Sequence, residues 1–170
     1  MKIEDVNEQI VARLRGVHWP ENKTDRTNRV FQVLDDVAVW MDPATRAQHC
    51  RHPKGEKFGE WLLDFVALDE PTQGMLLVAE STLTERTPED VLDDFVKLIQ
   101  VRAPVRVLVF MMDPVILVPK LIASLRAYTR HQEGDGYLLI RIDWSGAVES
   151  HKVVTGPGGS VPDPVLLPTG

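Results

Sequence analysis

A single cysteine, Cys50, in 170 residues excludes an internal disulfide and a multi-cysteine zinc site, and it fits a reducing compartment. Long apolar runs are missing as well: nothing approaches the ~20 residues of a membrane span. Met1-Lys2-Ile3-Glu4-Asp5 lacks a signal peptide's apolar stretch, so the expected location is cytoplasmic and no membrane partner is expected. Positive charge is in deficit, with 19 Lys and Arg against 25 Asp and Glu and a net charge of -6. That balance argues against a protein that coats nucleic acid non-specifically, while a local basic patch stays compatible with it. There is no GxxxxGK loop, no dinucleotide fingerprint and no GxSxG elbow, which removes three large enzyme classes. Gly156-Pro157-Gly158-Gly159 lacks a flanking strand and helix pattern and reads as a linker.

The length fits one domain with one sizeable core, and 44% hydrophobic with 26% charged residues is ordinary for a globular chain. Ile3, Val6, Ile10 and Leu14 recur at helical spacing, ending before Trp19-Pro20. Glu21 to Arg29 is polar, and Val30, Val33, Leu34, Val37, Ala38 and Met41 predict a second helix closing near Asp42-Pro43. Thr45 to Lys57, rich in charge and histidine, reads as a loop. Two strands follow, Phe58 to Leu68 and Met75 to Thr82. Thr87-Pro88-Glu89-Asp90 has the N-cap threonine, first-turn proline and acids of a helix start, and the helix runs to Val101. Val105 to Met111 is a buried central strand interrupted by Arg106. Asp113-Pro114 opens a helix running to about Arg130, in which Pro119 sits awkwardly unless the helix starts there. Tyr137 to Asp143 and Val148 to Val154 form a hairpin around Trp144-Ser145-Gly146. The expected fold is α/β, a mixed sheet with helices on both faces in a single domain over 1-155, followed by a Pro/Gly-rich tail over 156-170, either an extended arm or disordered.

The first hairpin carries the chemistry. Antiparallel partners keep a constant sum of residue numbers, so the loop Pro71-Thr72-Gln73 sets Glu70 across from Gly74 and Asp64 across from Glu80, on one face with Cβ atoms roughly 5 Å apart. Two like charges there destabilise the pair unless something offsets them, and a divalent cation held by carboxylate oxygens does so.

A helix, a hairpin bearing Asp then Glu, a further helix, a central strand and another helix resemble the core of the PD-(D/E)XK nuclease-like superfamily, across about Val30 to Asp143. The resemblance implies a restriction-endonuclease-like core and a magnesium-dependent hydrolase of phosphodiester bonds. Asp64 and Glu80 match the two metal-holding acids, with Mg²⁺ or Mn²⁺ as the implied cofactor and nucleic acid as the implied partner. Glu80-Ser81-Thr82 departs from the pattern, placing Thr82 where lysine is expected. Some members carry that lysine on the following helix, where Lys97 stands in Asp94-Phe95-Val96-Lys97-Leu98. Glu60, on the strand face of Asp64, and Asp36, on the preceding helix, are candidates for the extra acid found in parts of the superfamily. Such a site needs a metal that polarises the phosphate and lowers the pKa of water, and a cation that steadies developing charge.

Plainer readings stand beside these. Trp61, Leu62, Phe65 and Leu68 also share a helical face, which would leave Asp64 in solvent. Asp93 and Lys97, four apart on a helix, form an ordinary surface pair. His49, Cys50 and His52 lie close together but have no distant partner to complete a metal site, so they read as loop residues. Arg26, Arg29, Arg46, Arg51 and Lys54 offer phosphate contacts or a mixed charged surface, and Trp40, Trp61 and Trp144 read as core or rim residues. The rival function is a catalytically silent domain of the same fold that binds a protein or nucleic-acid partner; a third reading is an α/β regulatory module without metal.

Overall fold

A computed structural model of the chain describes residues 2-49, 63-69, 71-83 and 87-168, the side chains of 47-49 excepted. Helices α1 (Ile3–Arg15) and α2 (Lys23–Met41) precede strands β1 (Thr45–His49), β2 (Phe65–Asp69) and β3 (Met75–Thr82). Then come α3 (Pro88–Gln100), β4 (Val105–Phe110), α4 (Pro114–Ala127), β5 (Gly136–Ile142) and β6 (Val148–Val154). A 3₁₀ turn at Pro157–Gly159 and a short strand β7 (Val165–Leu166) close the chain. The seven strands form one mixed sheet in sequential order. The central β3, β4 and β5 are parallel and the outer strands antiparallel.

Every residue of β4 is buried, so the sheet needs cover on both sides. Right-handed crossovers from β3 to β4 and from β4 to β5 step in the same direction, which puts α3 and α4 on one face. There Val91, Phe95, Leu98, Leu117, Leu121 and Leu125 pack on Val66, Val78, Leu108 and Leu139. On the opposite face α1 and α2 bring Ile10, Leu14, Phe31 and Leu34 against Phe65, Ala79, Val107 and Ile140. Among the described residues no helix is long and apolar enough to cross a membrane.

Arg106, which breaks the apolar run of β4, is buried with its charge engaged. Its guanidinium donates twice to the Val101 carbonyl, at 3.0 and 2.8 Å, and to Asp135 at 3.2 Å. It also lies 5.0 Å over the Tyr137 ring. Val101 caps the end of α3, so a cation there also meets the helix dipole favourably. At the other end of the sheet the β5–β6 turn needs glycine. Gly146 has φ +87°, and a Cβ would fall 2.5 Å from the Trp19 ring.

Several expectations are corrected. Residues 45-49, read as loop, form β1, because the mixed polar run Thr-Arg-Ala-Gln-His owes its extended form to pairing with β2 rather than to an alternating pattern. The polar stretch before Val30 is already helical from Lys23, started by Asn22, whose side chain accepts the Asp25 N–H at 2.9 Å. The strand expected from Phe58 begins at Phe65, with Leu63 and Asp64 in a bend before it, and 58-62 lie outside the described residues. Pro119 sits inside α4, which ends at Ala127 rather than near Arg130. Both Pro119 and Val115, the residue whose carbonyl loses its donor, are exposed, so water can satisfy that carbonyl.

The arm beyond Gly156 folds back on the sheet. β7 pairs with β6, Leu167 donates its N–H to the Ser150 carbonyl at 2.9 Å, and its side chain joins the α1/α2 core. Leu167→Ala is expected to lower stability by about 2 kcal/mol, whereas Leu166→Ala on the exposed side of the arm stays within about 0.5 kcal/mol. Urea denaturation of the two variants checks this, and equal small effects would mean the arm is not anchored.

Candidate functional site

The β2–β3 hairpin sets the geometry. Phe65 pairs with Ala79, Val66 with Val78 and Ala67 with Leu77, the register in which Asp64 comes opposite Glu80. Nearer the turn a bulge between Ala67 and Leu68 shifts the pairing by one: Leu68 meets Met75, and Asp69 donates to the Gly74 carbonyl at 2.9 Å. The expected Glu70–Gly74 pairing is therefore displaced at its described end, and Glu70 itself lies outside the described residues. A bulge shifts the pairing by one residue, so here it offsets the displaced register at the turn, and the acids meet because of it.

Asp64 is held by a hydrogen bond from the Ser81 N–H to its Oδ2 at 3.1 Å. Glu80 shares a strand face with Val78 and Thr82, the face covered by α3. It is only 1% exposed, and its Oε1 has no hydrogen-bond partner among the described residues. Burial first, and then the neighbouring Asp64 carboxylate, push its pKa up from 4.5 to about 9. Glu80 in the metal-free protein therefore holds a proton at neutral pH.

Lys97 arrives from α3. Its Nζ lies 3.6 Å from Glu80 Oε1 and donates to Asp94 Oδ1 at 2.8 Å. Burial alone would lower the lysine's pKa, but the Asp94 bond and the charges of Glu80, Asp94 and Asp64 outweigh it and hold the group above its usual range. The surface pairing with Asp93 is corrected: Asp93 is exposed, and Lys97 pairs instead with Asp94, three residues away. Thr82, at the position where lysine was expected, donates its hydroxyl to Asp94 Oδ2 at 2.8 Å. Asp94 is thus the residue that sequence reasoning passed over. Its signal was the same helical face as Lys97, one step nearer than the pair that drew attention.

The structure brings together Asp64, Glu80 and Lys97 and adds Asp94 and Thr82. It leaves Asp36 exposed on α2, across the sheet. Glu60, Cys50, Arg51, His52, Lys54 and Trp61 lie outside the described residues, as does the side chain of His49. Arg26 is buried, stacks 4.9 Å over Trp144 and donates to the carbonyls of Pro20 and Trp144, while Arg29 bonds Gln32 on the surface. Trp40 and Trp144 are partly exposed rim residues.

Hard carboxylate oxygens suit Mg²⁺ or Mn²⁺, and a buried Glu80 oxygen with no hydrogen-bond partner among the described residues, beside a second carboxylate, fits such an ion. Among the described residues no group of three or more His, Cys, Asp or Glu side chains is arranged to hold a metal. Comparison of the chain with protein-family models, curated proteins and solved structures returns no match.

Glu80 carries a definite pH signature. Its folded pKa lies above the ordinary carboxyl value, so its protonated form stabilises the fold fully below about pH 4.5, and that contribution is lost as pH rises through about 9. Metal-free wild type is expected to lose melting temperature across that window relative to Glu80→Gln. At pH 8 the variant should melt several degrees higher, at about 2–4 °C per kcal/mol for a chain of this size. Parallel pH dependences in scanning calorimetry would show that Glu80 is ionised and stably paired instead.

Proposed function

We propose that the protein is a metal-dependent nuclease-like hydrolase of phosphodiester bonds, with Asp64 and Glu80 as metal ligands and Lys97 as the catalytic cation. The observation that carries this reading is the convergence of three side chains from different elements. Asp64 bonds the Ser81 amide beside Glu80, and Lys97 approaches Glu80 within 3.6 Å from the covering helix. Support also comes from element order. A helix, an antiparallel run of β1, β2 and β3, helix α3 and the parallel strand β4 contain the arrangement on which the resemblance to the PD-(D/E)XK superfamily rests.

Each residue has a definite task in this reading. Asp64 and Glu80 would hold Mg²⁺ or Mn²⁺, and the ion supplies Lewis acidity toward the phosphate and a more acidic bound water. Bringing Glu80 to its ligating form releases its proton, so binding is favoured by higher pH. Lys97 stays cationic, since its pKa is held up, and it is placed to steady negative charge on the phosphate oxygens. Closure of the α3 face over β3 excludes water from the inner side of Glu80, which strengthens these interactions.

A second reading, a catalytically silent domain that binds a protein or nucleic-acid partner, is favoured by Thr82. That residue stands at the usual lysine position with its hydroxyl committed to Asp94.

Calorimetric titration of Mn²⁺ and Mg²⁺ at neutral pH and moderate salt separates the two. The nuclease reading expects binding to wild type that vanishes in Glu80→Ala, and metal-dependent cleavage of plasmid, single-stranded DNA or RNA that Asp64→Ala abolishes with the fold intact. Cleavage retained in Asp64→Ala would sink it, and absence of both binding and cleavage in wild type would leave the silent domain.

A further inference from the structure

Beyond Glu80 the same face of β3 presents Thr82, which is buried. Threonine, aspartate, lysine and glutamate there form a connected series. The Thr82 hydroxyl donates to Asp94 Oδ2 at 2.8 Å, Asp94 Oδ1 accepts from Lys97 Nζ at 2.8 Å, and Lys97 Nζ stands 3.6 Å from Glu80 Oε1. The series runs from strand to helix and back to the same strand. Lysine is a long, flexible side chain, and a third of Lys97 remains open to solvent, so burial alone does not select the rotamer that reaches Glu80. A carboxylate one turn away on the same helix does select it. The carboxylate is itself fixed, because the buried strand hydroxyl engages one oxygen and leaves the other facing the ammonium.

We propose that Asp94 is a positioning residue of this site, holding Lys97 Nζ against Glu80, and that Thr82 orients the Asp94 carboxylate. Its catalytic consequence rests on the nuclease reading above, whereas the placement of Lys97 can be measured without it. The departure at Thr82 then has a physical role: a threonine there supplies the donor that a lysine arriving from the helix requires.

The test is competitive trace acetylation of the metal-free protein with acetic anhydride, with rates for individual lysines read by mass spectrometry and Lys23, exposed on α2, as internal reference. Lys97 of wild type should react more slowly than Lys23. Asp94→Ala should raise the Lys97 rate relative to Lys23 by about tenfold, the change expected from losing a hydrogen bond to a charged group. Thr82→Val should raise it by a smaller factor, and Thr82→Ser, which keeps the hydroxyl, should restore the wild-type rate. A merely structural role would lower melting temperature without singling out Lys97. An unchanged Lys97 rate in cooperatively melting Asp94→Ala and Thr82→Val overturns the proposal; should Asp94→Ala fail to fold, the Thr82→Val and Thr82→Ser pair decides alone. Where wild type cleaves a nucleic acid, Asp94→Ala should lower kcat with KM little changed, and a rise in KM alone also overturns it. Absence of cleavage in wild type counts against the nuclease reading and leaves the labelling result to judge the positioning role.

Discussion

Strand β4 is buried on both faces, and much of the molecule follows from that constraint. A doubly covered parallel strand needs helices above and below. The handedness of its two crossovers assigns α3 and α4 to one side, leaving α1 and α2 to close the other. Once α3 lies across β3 and β4, its polar flank has one place to go: over the end of β3, where Glu80 and Thr82 rise from the sheet. The site is therefore a by-product of crossover geometry acting on a few polar residues in an otherwise apolar layer.

Two buried polar clusters on the α3 side of the sheet differ in a telling way. Around Arg106 the guanidinium is shared among the Val101 carbonyl, Asp135 and the face of Tyr137. His131 joins it, bonding the Leu125 carbonyl at 2.8 Å and the Tyr137 hydroxyl at 3.3 Å. That cluster ties the end of α3 to the loop before β5 and matches the buried cation to Asp135, although Nη1 of Arg106 has no hydrogen-bond partner among the described residues. Glu80 differs in having a like group beside it: a carboxyl in the sheet interior next to the Asp64 carboxylate, with Lys97 3.6 Å from an oxygen that has no hydrogen-bond partner among the described residues. Burial of this kind costs free energy, and places where local consistency is broken are where function is usually sought.

Local signals were readable where they were self-contained. Helix α3 opens at the capping box seen in Thr87 and Asp90, each bonding the other's backbone N–H, because that motif is completed within a single turn. Strand β3 has its expected bounds, since its apolar run is flanked by turn residues on one side and a capped helix on the other. The meeting of Asp64 and Glu80 was expected from a turn register that the hairpin does not have: the Leu68–Met75 pairing carried on unchanged would set Asp64 opposite Ala79, and a bulge that no local pattern announces restores the match. By contrast, β1 has no pattern of its own, and its strand form comes from β2. The polar opening of α2 hid its start, since apolar periodicity begins only at Val30 while the cap lies at Asn22.

By itself the chain determined the α/β class, the strand that carries Glu80 and the helical placement of Lys97, because periodicity and caps are local properties. Tertiary structure alone decided that Lys97 would turn to Asp94 and Glu80 rather than to Asp93. It also decided that Thr82 would serve the helix rather than solvent, and that Glu80 would be buried deeply enough to hold its proton. Each of these depends on how α3 lies across the sheet, which is fixed by packing between elements far apart in sequence, and no spacing within one element encodes that angle.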